Sequence, residues 1–262
     1  MITSVHNPKI QWVRKLQANT RERREANAFV VEGVRLAEEA LNANWEMHLV
    51  LYTEELSRRG LALVEGFQAK GAPVELVSPH VLQAAAETET PQGLLLVLEM
   101  KSLPLPERLD FLLIPDGVRD PGNLGTLLRT AAAAGVQAVL LPPGMTDPYA
   151  PKVVRSAMGA HFRLPILSLD WPEITATLKP PAPKTQLSVY LADARGEVAY
   201  TQADFRSPTA LLIGGEAAGA GGEAVQLADR RVHIPMPGGA ESLNAAVAAA
   251  VLMFEVVRQR RT

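Results

Sequence analysis

"FLLIPDGVRDPGNLGTLLRTAAAAG" (residues 111–135) decides the fold. Its first residues are too continuously apolar for a strand with one wet face, and a helix follows directly, starting at Pro121, Gly122 and Asn123. Pro121 suits the first helical position, and Asn123 is placed to cap exposed amide groups. At helical spacing Leu124, Leu127, Leu128 and Ala131 make one stripe, the buried one. Gly122, Gly125 with Thr126, Arg129, and Ala132 with Ala133 make another. Arg129 therefore projects over a floor of small residues, where a planar guanidinium suits two oxygens of a phosphate or carboxylate. An exposed arginine paired with a neighbouring acid is the plainer alternative.

The same alternation of buried strand and helix runs to the end of the chain. "AVLLPP", "LSVYLAD", "TALLIGG" and "RVHIPM" are continuous apolar strands separated by helical segments, as expected of a parallel sheet covered on both faces. "LKPPAPKT" is a proline loop between elements. Upstream, "NPKIQWVRKL" reads as a helix, "AFVVEG" as a strand, "VRLAEEALNA" as a helix, and alternating elements continue to the buried strand "GLLLVLEM". The spacing predicts an α/β protein of two domains, residues 1–100 and 108–262, joined by a proline-containing linker over 101–107.

With 262 residues, 47% of them hydrophobic, the chain can bury a proper core. It has no cysteine and its five histidines lack ligand spacing, so neither a disulfide scaffold nor a metal site is expected. "MITSVHNPKI" has neither the charged start nor the apolar core of a signal peptide, and no apolar run reaches membrane-spanning length. A cytoplasmic protein without a membrane partner is the expectation. Net charge is −2, but charge is unevenly spread. Lys9, Arg14, Lys15, Arg21, Arg23 and Arg24 face only Glu22 and Glu25 in the first 31 residues. That local basic footprint suits a phosphate backbone, though an ordinary solvated helix face has the same composition.

Two glycine-rich stretches follow strands late in the chain. In "LLIGGEAAGAGG" (211–222) one acid, Glu216, is set among glycines that bare the backbone to close approach, which suits a small ligand, with a surface turn before the next helix as the plainer alternative. In "VHIPMPGGAESLNAAVAAAVLMFEVVRQR" (232–260) a strand ends at Ile234, and Ser242 stands where a helix N-cap belongs. Leu243, Val247, Ala250, Val251 and Phe254 then share one side of the helix. Main-chain donors at such a helix start can receive a ligand, or Ser242 and Asn244 are caps and nothing more. "PKVVRSAMGAHFRLP" (151–165) offers Lys152, Arg155 and Ser156 on a short helix. There is no GxxxxGK for a P-loop, and no early GxGxxG for a dinucleotide site.

In this order the pieces resemble the SpoU (TrmH) family of RNA ribose 2′-O-methyltransferases, of the knotted SPOUT class. "NLGTLLRTAAAAG" fits the family's first motif, NxGxxxRxAxxxG, at every fixed position. "LLIGGEAAGAG" resembles the second and "IPMPGGAESLN" the third, and "VVRSAMGAHFRLP" resembles the segment between. The likeness covers about residues 108–260, while the first 100 residues more loosely resemble an RNA-binding domain of the ribosomal L30e type. It implies a C-terminal SPOUT domain with a deep trefoil knot, S-adenosylmethionine as cofactor, a homodimer, and RNA as partner, ribosomal RNA ahead of transfer RNA. Gly214, Ile234, Met236 and Leu243 are then cofactor residues, and Arg129, Asn123, Glu216, Ser242 and Asn244 the catalytic constellation. RNA contacts fall to Lys9, Arg14, Lys15, Arg21, Arg23, Arg24 and Arg155. The family picture makes the motif-one arginine the group that assists loss of the hydroxyl proton. A free guanidinium keeps its own proton, so Arg129 is read here as fixing a substrate phosphate and thereby orienting the hydroxyl. Gly215 and Ala217 replace a polar residue and a glycine of many relatives, which implies a tighter or reshaped loop. The competing readings are a non-catalytic dimeric RNA-binding protein and a small-molecule transferase using the same pocket.

Overall fold

The computed structural model describes residues 1–181, 186–215 and 219–261. The chain divides into two compact units, one of residues 1–101 with 149–162 and the other of residues 102–148 with 163–262. Residues 149–162 thus join the first unit, although the sequence expectation gave them to a contiguous second domain beginning at 108.

In the first unit, strands β1 (Ala28–Glu32), β2 (Met47–Tyr52), β3 (Val74–Leu76) and β4 (Leu94–Glu99) make a sheet of order β1-β4-β2-β3. β4 runs antiparallel to both β1 and β2, and β3 runs parallel to β2. Helix α1 (Pro8–Ala18) starts where Asn7 accepts from the Lys9 amide, with proline at its first position. It lays Ile10, Val13 and Leu16, all fully buried, on Leu49, Leu51, Leu95 and Val97 of the sheet and on Val81 and Leu82 of α5 (Pro79–Ala85). Helices α2 (Thr20–Ala26), α3 (Val34–Asn42) and α4 (Arg58–Ala69) complete the unit before the linker. From the 149–162 segment, Tyr149 donates to Lys101 O at 3.0 Å and packs on Phe29 with the rings tilted by 56° and their centroids 4.9 Å apart.

The second unit is a seven-stranded sheet of order β7-β6-β5-β10-β8-β11-β9 in which every adjacent pair is parallel. Its strands are β5 (Phe111–Asp116), β6 (Ala138–Leu141), β7 (Ile166–Ser168), β8 (Ser188–Ala192), β9 (Val198–Ala199), β10 (Thr209–Gly214) and β11 (Arg230–His233). All six residues of β5 are buried, as the unbroken apolar run requires of an interior strand. Leu112 and Ile114 pack with Leu140, Val189, Leu191, Ala210 and Leu212 beneath Ile174 and Leu178 of α8 (Trp171–Leu178). Helix α6 (Pro121–Ala134) packs on α10 (Ala245–Arg261), and α10 also packs on β10. Short helices α7 (Pro151–Ala157), which belongs to the first unit, and α9 (Gly222–Leu227) complete the set among the described residues.

Helix α6 buries Leu124, Leu127, Leu128 and Ala131 completely, the stripe its spacing predicts, and ends at Gly135 with φ +76°. Its cap is Asp120, whose Oδ1 accepts from the Asn123 amide at 2.8 Å, and not Asn123 itself. Helix α10 departs further from expectation. Asn244 is its cap, accepting from the Ala246 and Val247 amides at 2.9 and 3.3 Å, so Ser242 does not cap it. The buried face is Ala245, Ala246, Ala249, Leu252, Met253 and Val256, whereas Val247 and Phe254 of the expected stripe are each 49% exposed. Glu255, also buried, accepts from Arg258, and that hydrogen bond holds its carboxyl below the usual carboxylate range.

Candidate active site

The carboxyl ends of β8, β10 and β11 open into three loops, the usual place for a ligand in an open parallel sheet. The first loop leaves β8 at Asp193, the second leaves β10 at Gly214, and the third leaves β11 at Ile234 and enters α10. Together they enclose a cleft of about 590 Å³, within the size of small-ligand pockets. Leu191, Ile213 and Val232 line it from the strands, and Ile234, Met236 and Leu243 from the third loop. Gly214, Gly215 and Gly219 bring the second loop to its wall, and Ser242 stands beside Leu243.

The second loop is tied at its base. Gly215 and Gly219 exchange both backbone hydrogen bonds at 3.1 Å, and Asp116, buried at the end of β5, accepts from the Gly221 amide at 2.6 Å. Its glycines serve first as packing. A Cβ on Gly214 would lie 2.5 Å from Ala220 N and 2.6 Å from Gly219 C, and one on Gly215 would overlap the Gly117 carbonyl oxygen. The bare backbone of "IGG" is therefore met by the chain's own backbone on one side, and it borders the cleft as well. Gly219, at φ +68°, has nothing within 4 Å of a Cβ position, so it owes its identity to backbone conformation.

All four expected cofactor residues, Gly214, Ile234, Met236 and Leu243, line this one cleft, and Ser242 lines it with them. Asn123 and Asn244, 121 residues apart in sequence, meet through a 3.1 Å hydrogen bond from Asn244 Nδ2 to Asn123 Oδ1. That bond joins the start of α6 to the start of α10, so the first and third motifs converge. Arg129 is exposed on α6, two turns beyond its start, and enters no ion pair among the described residues. Glu216, like Ala217, lies outside the described residues. Sequence reasoning missed Asp116 as the anchor of the glycine loop; its only signal was an acid closing an otherwise apolar strand.

The basic residues of the first unit divide into two kinds. Arg14, Lys15 and Arg24 are exposed and unpaired among the described residues, Lys9 pairs with Glu75, and Arg21 pairs with Glu25 at 2.6 Å. Arg155 pairs with Glu87 at 2.5 Å. Arg23 corrects the sequence reading, for it is only 3% exposed and is spent on the protein itself. It donates to Leu16 O at 2.6 Å, Gln17 O at 3.2 Å and Thr20 Oγ1 at 2.9 Å, closing the end of α1 onto α2. Arg23→Ala leaves those acceptors without their donor and is expected to cost about 1.5–3 kcal/mol of stability. Arg14→Ala should stay within about 0.5 kcal/mol of the parent. Thermal unfolding of the two variants measures the difference, and equal midpoints would return Arg23 to the surface set.

Comparison with known proteins divides the chain near residue 100, with residues 149–162 inside the C-terminal match. Residues 110–254 match the SpoU rRNA Methylase family, and residues 7–96 match the MRM3-like substrate binding domain. The 23S rRNA (guanosine(2553)-2′-O)-methyltransferase RlmP of Bacillus subtilis is 36% identical, over 97% of this chain and 98% of that protein. The human mitochondrial rRNA methyltransferase 3 is 30% identical over 91% of this chain and 69% of its own length. Among solved structures, the SpoU methyltransferase AviRb from Streptomyces viridochromogenes in complex with AdoMet superposes with a TM-score of 0.88. It has 32% identity and covers 98% of this chain and 99% of that one. The AdoMet-bound rRNA methyltransferase from Sinorhizobium meliloti gives a TM-score of 0.87 at 30% identity, over 98% and 97% of the two chains.

Proposed function

This chain belongs to the SpoU rRNA Methylase family, and from that premise we propose that it transfers a methyl group from S-adenosylmethionine to a ribose 2′-hydroxyl of ribosomal RNA. The observation that carries the reading is the single cleft at the carboxyl ends of β8, β10 and β11, lined by Gly214, Ile234, Met236 and Leu243 together. Its apolar walls suit an adenine ring, and its exposed main chain suits the polar edges of the same molecule. The chain's residues therefore fit this cofactor. When bound, S-adenosylmethionine supplies a methyl group activated on a sulfonium.

The remaining work is positional, and the chain's own side chains do it. Arg129 binds a phosphate of the RNA and sets the neighbouring 2′-hydroxyl in line with the reacting carbon. Asn123 and Asn244, hydrogen-bonded to each other, hold the starts of α6 and α10 in register, and Ser242 with Glu216 completes the polar set. In this proposal residues 108–262 carry the methyltransferase site, and residues 1–100 bind RNA through Lys9, Arg14, Lys15, Arg21 and Arg24, with Arg155 adding to them.

The C-terminal segment is proposed to pass through a loop to make the trefoil knot. The close backbone packing of Gly214 and Gly215 and the seating of α10 on both α6 and β10 support this path. A homodimer is supported by the outer side of α10, where Val247 and Phe254 expose apolar surface that a second copy would cover. The proposed setting is the cytoplasm; among the described residues no helix is long and apolar enough to cross a membrane. No metal is required by the proposed chemistry.

The test is transfer of labelled methyl groups to ribosomal RNA, followed by digestion to nucleosides. Label is expected in a 2′-O-methylated nucleoside, with chelator present or absent. Label on a base, or none at any RNA concentration, would overturn the assignment.

A further inference from the structure

We propose that Asp193 is the acceptor for the ribose hydroxyls of the bound methyl donor, an inference that rests on reading the cleft as the cofactor site. Asp193 directly follows β8 and lines that cleft, with a side chain only 18% exposed. Its position is set by the protein before any ligand arrives. Its amide donates to Val232 O at 3.0 Å, and its carbonyl accepts from the Gly196 amide at 2.8 Å. Its Oδ1 accepts from the Arg195 amide at 2.9 Å. Gly196 clamps the turn onto β11, because a Cβ there would lie 2.8 Å from Val232 C, and His233 Nδ1 lies 2.8 Å from the Gly196 carbonyl oxygen. A carboxylate fixed in this way loses little freedom on binding, which favours affinity.

The chemistry of its surroundings selects the partner. The carboxylates lining the cleft, among the described residues, are Asp193 and Glu241, and Glu241 is exposed on the third loop. An ionised carboxylate has about four acceptor sites. One is taken by the Arg195 amide, and two guanidinium groups balance the charge at longer than ideal hydrogen-bond distance, Arg231 Nη1 3.5 Å from Oδ2 and Arg195 Nε 3.9 Å from Oδ1. What remains is acceptor capacity beside an already compensated charge, suited to neutral donors more than to a second cation. A vicinal diol supplies two such donors. The apolar walls at Leu191, Ile213 and Val232 lie where the attached base would be buried. Arg231 is then a positioning residue that acts through Asp193.

Isothermal titration with S-adenosylhomocysteine and with its 2′,3′-dideoxy analogue tests this on the full chain without any activity readout. The unaltered protein should bind the parent compound at least about tenfold more tightly than the dideoxy analogue, the worth of a hydrogen bond to a charged group. Asp193→Ala should weaken the parent compound by about the same factor and leave the dideoxy analogue within about twofold. Asp193→Asn keeps an acceptor for the Arg195 amide, so the turn is retained, and should show the same selectivity with a smaller loss. Equal weakening of both ligands in either variant, or none, would overturn the inference while leaving the cleft as the cofactor site. Failure of the unaltered protein to bind either ligand would overturn the cleft reading and the inference together.

Discussion

Replacing Arg129 with alanine is expected to lower methyl transfer about 100- to 1,000-fold, the usual effect of removing one preorganised charge-binding group from a reacting centre. Affinity for S-adenosylhomocysteine should stay within about twofold, because Arg129 is not among the residues lining the cofactor cleft. Stability should hardly move: the side chain is exposed, it makes no ion pair among the described residues, and alanine is the better helix former. This split between intact binding and lost transfer separates a role at the RNA from a role in folding. Arg129→Lys sharpens the test. Lysine keeps the charge but presents a compact ammonium in place of a planar fork, so a two-oxygen grip on phosphate is lost. A lysine variant that methylates RNA at the parent rate would remove Arg129 from the constellation.

The second large effect belongs to Gly214. Gly214→Ala places a methyl group 2.5 Å from Ala220 N and 2.6 Å from Gly219 C. Both are backbone atoms of the loop that Asp116 and the Gly215–Gly219 bridge tie down, so no side chain can swing aside. Overpacking of this kind costs about 1–3 kcal/mol where the surroundings yield, and more where they do not. The variant is expected to melt several degrees lower, at about 2–4 °C per kcal/mol for a domain of this size, and to bind S-adenosylhomocysteine at least about tenfold more weakly. Gly222→Ala is the matched control, since no atom lies within 4 Å of its Cβ position and its φ is not positive. Its stability should stay within about 0.5 kcal/mol of the parent. Equal behaviour of the two variants would mean that the second loop opens easily and that its glycines are not packed as described.

The sheet was legible because burial on both faces leaves a plain mark. Phe111–Asp116 and Thr209–Gly214 are apolar runs without alternation, and they stand side by side at the centre of the sheet. The buried stripe of α6 was equally plain, four leucine and alanine positions at helical spacing. What periodicity could not settle was the ends of helices and the outer face of α10. Several candidate capping residues stand close together in "VRDPGNLG" and "AESLN", and only three-dimensional placement picks Asp120 and Asn244 over Asn123 and Ser242. In α10 the alanine-rich composition makes two sides similarly apolar, so Val247 and Phe254 pass for core while the alanines opposite take it. Arg23 was misread because charge in a basic run is indistinguishable in sequence from charge turned inward to cap a neighbouring helix. The residues expected at the cofactor were named through the resemblance of three separated motifs, and they line one cleft; no local rule joins Gly214 to Leu243 before the strand order is known.

The most direct test of the central claim is a crystal structure of the protein grown with S-adenosylhomocysteine at saturating concentration. The ligand is expected in the cleft beyond β8, β10 and β11, in contact with Gly214, Ile234, Met236 and Leu243. A ligand bound elsewhere, or a cleft left empty under conditions where titration shows binding, would contradict it.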